Sequence, residues 1–375
     1  MKVVSEIFLS IKKQFKNRII FNVANSKSRK KALLSYIVWP FKIKGEYNAH
    51  TNFLEAKNLL SALSKAGFAV DVCSFDTEYN CIDYNEYDLI IGFGIELEKA
   101  LKKNISAKTI LYATGTHFED NLTEVKKSIM KSGTNRALLY RLPKYNLFLQ
   151  NNFTDAVIYL GEKNRGKLFN TYNGRSLLNV SLPLPFEPKL IKRTSLNIEQ
   201  SRHSFVWFGS NGIKHKGLDI LIDFFSKNSN YKLYICGDVE EEIMTLFDIK
   251  EINKCENIIY KGFVDIQSKD FNDICGECLF TILPSCSEGI PGALVNPIAL
   301  GGLIPISTES IGLDIESNLL INDMSYDAIK EAVDKLNCMT VSELIKIQIK
   351  WSEKIYNNYN EEEQIEKISQ FIKGL

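Results

Sequence analysis

Short apolar runs alternating with helical segments, twice over, constrain this chain more than any other feature. LLSYIVWP (33–40), FAVDVCSF (68–75), YDLIIGFG (87–94), KTILYATG (108–115) and AVIYLG (156–161) are of strand length, with helical or polar stretches between them. The polar loop FKIKGEYNAH leads into a helix over 50–66, which Gly67 closes. Runs that are apolar on both faces belong to parallel strands, and strand–helix alternation predicts a doubly wound α/β sheet. SLPLPFEPKL (181–190), with three prolines, and the polar residues up to Gln200 then read as a linker. The alternation restarts with HSFVWFG, HKGLDILIDFF, YKLYICGD and IIYKGFV, continues through a helix over 268–276, CLFTILPS and a helix over 291–300, and closes with LIPIST. No strand-like run follows LLIND, so 325–375 reads as helical.

The expected organisation is two Rossmann-like domains, 31–190 and 191–345, with a basic amphipathic segment at 1–30. Helices at 346–375 are expected to pack back towards the first domain. A length of 375 residues with 45% hydrophobic and 24% charged residues supports two cores. No apolar run approaches the roughly 18 residues that cross a bilayer, and no secretion signal is read. The expected location is cytoplasmic, with the inner face of the membrane as a further option.

Eight scattered cysteines fit that location as small hydrophobes. Cys275-Gly-Glu-Cys278 lacks a second pair or nearby histidines, so core packing is favoured over zinc, with a redox dithiol left open. Net charge is only +1, yet residues 1–50 hold eleven Lys/Arg against Glu6 and Glu46, leaving 35 basic and 43 acidic residues elsewhere. Residues 3–16 align Val4, Ile7, Phe8, Ile11 and Phe15 on one helical face, followed by NSKSRKK (25–31). Either this is a helix packed on the protein, or residues 1–31 touch an anionic membrane. No recognition pattern for nucleic acid follows.

Ligands of open α/β sheets bind outside the carboxyl ends of the strands. Four loops there are unusual: FGSNGIKHKG (208–217), CGD (236–238), GFVDIQS (262–268) and PSCSEGIPG (284–292). The first has three glycines and two lysines before a helix, which suits an anion held by free amides and by Lys216, although such a loop is commonly just a turn. It is not a Walker loop, and GFG at 92–94 lacks the third glycine of a dinucleotide fingerprint. In SEGIPG the carboxylate of Glu288 faces a helix start with Pro291 near the first helical position. A capping glutamate would contribute about 0.3–1 kcal/mol. Gly289 and Gly292 beside it point instead to a ligand close to the main chain, and a carboxylate accepting from several hydroxyls suits a sugar.

Taken together, these segments resemble the retaining GT-B glycosyltransferases, particularly family 4. FVWFGSNGIKHKGLDILIDFF is similar to the "G-R…K-G-hydrophobic-x-x-L" segment, YICGD to the "hxhxG-x-G" turn, and IYKGFVDIQSKDF to the "hxF-x-G-x-v" loop. PSCSEGIPGALVNPIALGGLIPIST resembles the "P-S-x-x-E-G-x-x-x-x-x-x-E-a-x-a-x-G-x-P-v-v" hallmark. The four occur in the family's order over about 203–315. The first domain shares only the architecture and YATGTHFED, where His117 ends a strand as the family's active-site histidine does.

This resemblance implies GT-B architecture and a nucleotide-sugar as co-substrate, with no other cofactor and no metal. The diphosphate would lie near Lys216 and the sugar near Glu288 and the amides of Gly289, Ile290 and Pro291. Gly209, Ser210, Lys214, His215, Gly237, Phe263, Ser287 and Asn296 would complete the donor site, and Gly45, His50 and Thr116 would face the acceptor. His117, Lys216 and Glu288 are the implied catalytic residues. The sequence departs from the pattern twice: Ser210 stands where the family has arginine, and Asn296 where it has the second glutamate of E-x7-E. The implied function is transfer of a sugar to a saccharide or lipid-linked saccharide, as in bacterial capsule or lipopolysaccharide synthesis. The rivals are an epimerase of sugar nucleotides on the same fold and a non-catalytic domain binding a glycan or a partner.

Overall fold

A computed structural model of the chain describes residues 19–42, 51–103, 105–132, 145–162, 169, 174–247 and 254–375. The segment 3–16, together with Gly45 and His50, lies outside them.

The first sheet is parallel and six-stranded, built from β1 (Lys31–Tyr36), β2 (Ala69–Ser74), β3 (Leu89–Gly92), β4 (Lys108–Ala113), β5 (Ala156–Leu160) and β6 (Ser176–Val180) in the order β2-β1-β3-β4-β5-β6. Every residue of β2, β3 and β5 is buried, as runs apolar on both faces require. Two strand readings differ from expectation. LLSYIVWP stops being a strand at Tyr36 because Pro40 has no N–H for a ladder, and Trp39–Phe41 forms a 3-10 turn. SLLNV, which the strand–helix alternation does not include, is β6, an edge strand whose residues are mostly only partly buried. Outside β2 the chain adds an antiparallel bridge between Ile20 and Val72.

The second sheet contains β7 (Ser204–Phe208), β8 (Lys232–Cys236), β9 (Ile258–Gly262), β10 (Phe280–Leu283), β11 (Ile304–Thr308) and β12 (Leu320–Ile321), ordered β12-β11-β10-β7-β8-β9 and also parallel. Counted from β7, this is the 3-2-1-4-5-6 order of a dinucleotide-type sheet, whose direction reverses between β7 and β10.

The helices are α1 (Thr51–Lys65), α2 (Ile95–Lys102), α3 (Phe118–Ser132), α4 (Leu147–Phe153), α5 (Ser195–Ser201), α6 (Leu218–Lys227), α7 (Glu240–Leu246), α8 (Lys269–Glu277), α9 (Gly292–Gly301), α10 (Tyr326–Asn337), α11 (Val341–Asn358) and α12 (Glu361–Lys373). The chain divides into two compact units. One holds β1–β6 and α12, and the other holds β7–β12 with α5 to α11 and most of α3. Within the first unit, α12 packs on α1, burying Ile368 and Ile372; Lys65 pairs with Glu366 at 3.6 Å, and the Gln364 amide donates to the Ser181 carbonyl.

The C-x-x-C pair is core. Cys275 and Cys278 are both buried and free, and burial pushes the Cys275 thiol up to about 12 and that of Cys278 well above its usual range. Arg193 seals this region, its guanidinium donating to the carbonyls of Cys275, Cys278 (2.7 Å) and Gly301 (2.8 Å). Thiols held protonated in this way make poor redox nucleophiles.

Candidate functional site

At the reversal between β7 and β10, two loops meet at the carboxyl edge of the second sheet. Residues 208–217 run from β7 into α6, and residues 284–291 run from β10 into α9. Backbone ties them: Cys286 N donates to the His215 carbonyl at 2.8 Å, and His215 Nε2 donates to the Ser287 carbonyl at 2.8 Å. A methyl group on Gly217, at φ +67°, would overlap the Pro284 carbonyl, so glycine is what allows this approach. The three loops after β7, β8 and β9 are joined through glycines. Gly209 N donates to the Cys236 carbonyl at 2.9 Å and Gly237 N to that of Gly262 at 2.7 Å. A methyl on Gly237 would overlap the Gly209 carbonyl.

Lys216 lies between these ties. Its Nζ donates to the Ser210 hydroxyl at 3.0 Å and carbonyl at 3.4 Å, and its own carbonyl accepts from Trp207 Nε1 at 3.3 Å. The residue standing where the family has arginine is therefore a partner of the lysine. The loop differs from its sequence reading in one respect. The amides of Gly212 and Ile213 are not free for an anion, because the Glu242 carboxylate accepts from both, at 2.8 and 3.0 Å. Nothing in the sequence singled out Glu242; the only signal is the acidic run Glu240–Glu242, one residue beyond CGD.

Glu288 sits in the loop, with Pro291 as the N-cap of α9. Its backbone is pinned by a parallel bridge to Ile311, with Glu288 N donating to the Ser310 carbonyl at 3.1 Å, and the Gly312 amide donates to the Gly289 carbonyl at 2.7 Å. The backbone is thus committed while the carboxylate has no hydrogen-bond or ionic partner among the described residues. Asn296, the fifth residue of α9, is 95% buried, and its Oδ1 has no hydrogen-bond partner. Phe263, just beyond β9, is 67% exposed. Ser287, Gly289, Ile290 and Pro291 are buried in the same loop.

In the first unit, His117 follows β4 and is buried against the rings of Phe118 and Phe169, each 5.1 Å away between centroids, with Thr116 half-buried beside it. His203 is exposed and packs on Tyr231. A carboxylate that sequence did not flag, Glu55 on α1, lies buried at the end of β1. It accepts from the hydroxyls of Tyr36 (3.0 Å) and Tyr112, and burial raises its pKa to about 7 against those two bonds. Among the described residues, no group of three or more His, Cys, Asp or Glu is arranged to hold a metal ion, and no helix is long and apolar enough to cross a membrane.

Residues 195–337 match the family model described as glycosyl transferases group 1. No curated protein sequence matches the chain. Among solved structures, the fold is similar to Anabaena Alr3699/HepE in complex with UDP and glucose, at TM-score 0.57 and 13% identity over 92% of this chain and 100% of that one. It is similar to sucrose-phosphate synthase from Thermosynechococcus elongatus at TM-score 0.60 and 13% identity, over 92% and 98% of the two chains. An E. coli structure bound with UDP-2-fluoro glucose matches at TM-score 0.52 and 11% identity, over 92% and 99%. The two six-stranded parallel sheets are thus the GT-B fold, and the part of the chain that the group 1 glycosyl transferase model describes, residues 195–337, lies within the second unit.

Proposed function

We propose that the nucleotide-sugar binds at the β7/β10 reversal and that its sugar passes to a saccharide or lipid-linked saccharide of a bacterial surface polysaccharide. Asn296 carries this reading. A buried acceptor left without a hydrogen bond costs about 1–3 kcal/mol, and a ribose hydroxyl is the kind of donor that removes that cost. The free carboxylate of Glu288, eight residues earlier, suits the hydroxyls of the sugar, with the buried main chain of Gly289–Pro291 beside it. Lys216, steadied by Ser210, would stabilise the departing diphosphate together with the N-terminus of α9. Retention then needs an acceptor hydroxyl placed on the departing face, with no carboxylate nucleophile. His117 and Thr116 take the acceptor side on the family resemblance, and UDP is the first nucleotide to test because the HepE structure holds it.

The membrane-contact reading of residues 1–31 is kept for the described part of that segment. Phe21 is 66% exposed, and Lys27, Arg29 and Lys30 are exposed without acidic partners among the described residues. Such a cluster suits an anionic bilayer, where a lipid-linked acceptor resides.

The test is product mass spectrometry with a panel of nucleotide-sugars and lipid-linked acceptors, alongside calorimetric donor titration. A transferase yields an acceptor heavier by one sugar; an epimerase yields an isomeric donor with no acceptor product; a non-catalytic domain ignores the whole panel. Glu288→Gln and Lys216→Ala should each cut transfer by about tenfold or more with melting temperature retained, the cost of losing a charged partner. Full activity in both variants would put the donor elsewhere.

A further inference from the structure

The most unusual contact of the second unit is the carboxylate of Glu242 on the β7–α6 loop. It reaches from the first turn of α7 and accepts from Gly212 N (2.8 Å to Oε1, 3.0 Å to Oε2) and from Ile213 N (3.0 Å to Oε2). Two successive amides converging on one carboxylate form an anion-binding turn whose anion is supplied by the chain itself. Charge-assisted bonds of this kind are about twice as strong as neutral ones.

The turn so held is the one that carries Lys216. Lys216 N donates to the Gly212 carbonyl at 3.0 Å and Leu218 N to that of Ile213 at 2.9 Å. Each residue gripped by Glu242 through its amide thus supports, through its carbonyl, the backbone on which the lysine and α6 begin. The far end of the loop is fixed by His215, whose carbonyl and ring bind Cys286 N and the Ser287 carbonyl. Lys216 follows directly on this second anchor, and its Nζ closes back on Ser210, at the start of the same loop. Among the described residues, Glu242 is the only side chain bonded to the amides of Gly212 and Ile213. Removing it frees both amides and one end of the loop.

We infer that Glu242 is a positioning residue for the donor diphosphate: it takes up the amides of Gly212 and Ile213 and thereby sets the conformation in which Lys216 is presented. The inference rests on the donor reading given above. It also has a negative content, because amides already bound to a carboxylate leave the diphosphate to Lys216 and the α9 loop. A carboxylate that merely blocked the site would give the opposite kinetic sign.

Two measurements on the full chain separate the possibilities. The first needs no ligand: hydrogen–deuterium exchange of peptides spanning 209–217 in wild type, Glu242→Ala and Glu242→Gln. Alanine should speed exchange at this loop, with the core strands and the melting temperature unmoved. Glutamine, which keeps one accepting oxygen, should fall between. The second is steady-state transfer with varied nucleotide-sugar. Glu242→Ala should raise KM for the donor about tenfold with kcat within about twofold, as loss of pre-organised binding predicts, and glutamine should recover part of the KM. Unchanged exchange, an unchanged KM or a lower KM in the alanine variant would each overturn the inference. If wild type binds no nucleotide-sugar, the donor reading fails, and the exchange arm still reports whether Glu242 holds the loop.

Discussion

The two sheets meet the same topological problem and solve it differently. Each reverses direction once, between β1 and β3 in the first unit and between β7 and β10 in the second, and each reversal opens a crevice at the carboxyl edge. Among the described residues, the first crevice is filled by its own chain. Ser35 Oγ donates to the Phe93 carbonyl at 2.7 Å, Gln150 brackets the Gly94 backbone at 2.9 Å on both sides, and Tyr36, Phe75, Phe93 and Tyr112 pack ring against ring. The second crevice keeps a free carboxylate and an unsatisfied amide oxygen, those of Glu288 and Asn296. Side chains paired with each other spend their polarity on stability, whereas side chains left unpaired hold it for a ligand. On the proposed donor reading, the second unit's reversal is the one that keeps polar groups for the nucleotide-sugar.

Several measurements can break that contrast, beginning with the largest expected effect. Gly92, at φ +128°, lies so close to Ser35 that an added methyl would overlap its carbonyl. Gly92→Ala should destabilise the first unit by about 4 kcal/mol or more, the range of the most damaging point changes, visible as a lost or sharply lowered melting transition. Next is Glu55. With a folded pKa of about 7 against an ordinary value of 4.5, the folded state holds a proton that the unfolded chain has released. Stability should accordingly fall as pH rises from about 4.5 to above 7, by about 3 kcal/mol in all, and level off beyond. Chemical denaturation across that range should show the slope, and Glu55→Gln should remove it. A flat wild-type profile would mean the carboxyl is better solvated than its burial indicates. The smallest effect sharpens the contrast most. Asn296→Ala should leave the melting temperature unchanged or slightly raised, because an unsatisfied buried acceptor is gone, while donor affinity drops about fivefold. A lowered melting temperature with intact affinity would make Asn296 a structural residue like those of the first crevice.

Sequence carried much of this, and its failures have physical reasons. Strand–helix alternation located ten of the twelve strands, since buried parallel strands leave continuous apolar runs such as DLII and FTIL, and LLIND, the last strand-like run, contains β12. It passed over β6, an edge strand of mixed polarity where burial leaves little trace. The loops around Lys216 and Glu288 were visible because glycine and proline mark backbone that must come close to something. Glu242 and Glu55 were not, because their meaning lies in what they touch. Glu242 looks like any acid in the first turn of a helix, and Glu55 like any polar residue in α1, until the amides at one and the tyrosines at the other come into contact with them. A sequence also cannot say which amides of a glycine-rich loop are already engaged, and on that point the phosphate reading of FGSNGIKHKG needed correction.

The assignment of α12 to the first unit has a consequence for biosynthesis. The ribosome delivers β1 to β6 early, yet the helix that covers α1 with Ile368 and Ile372 is made only after β7 to β12. The first unit must therefore wait, partly uncovered, until the whole of the second has been synthesised. Synthesis order and order of completion are thus inverted, and the stretch between them is when this polypeptide is most open to proteases and chaperones.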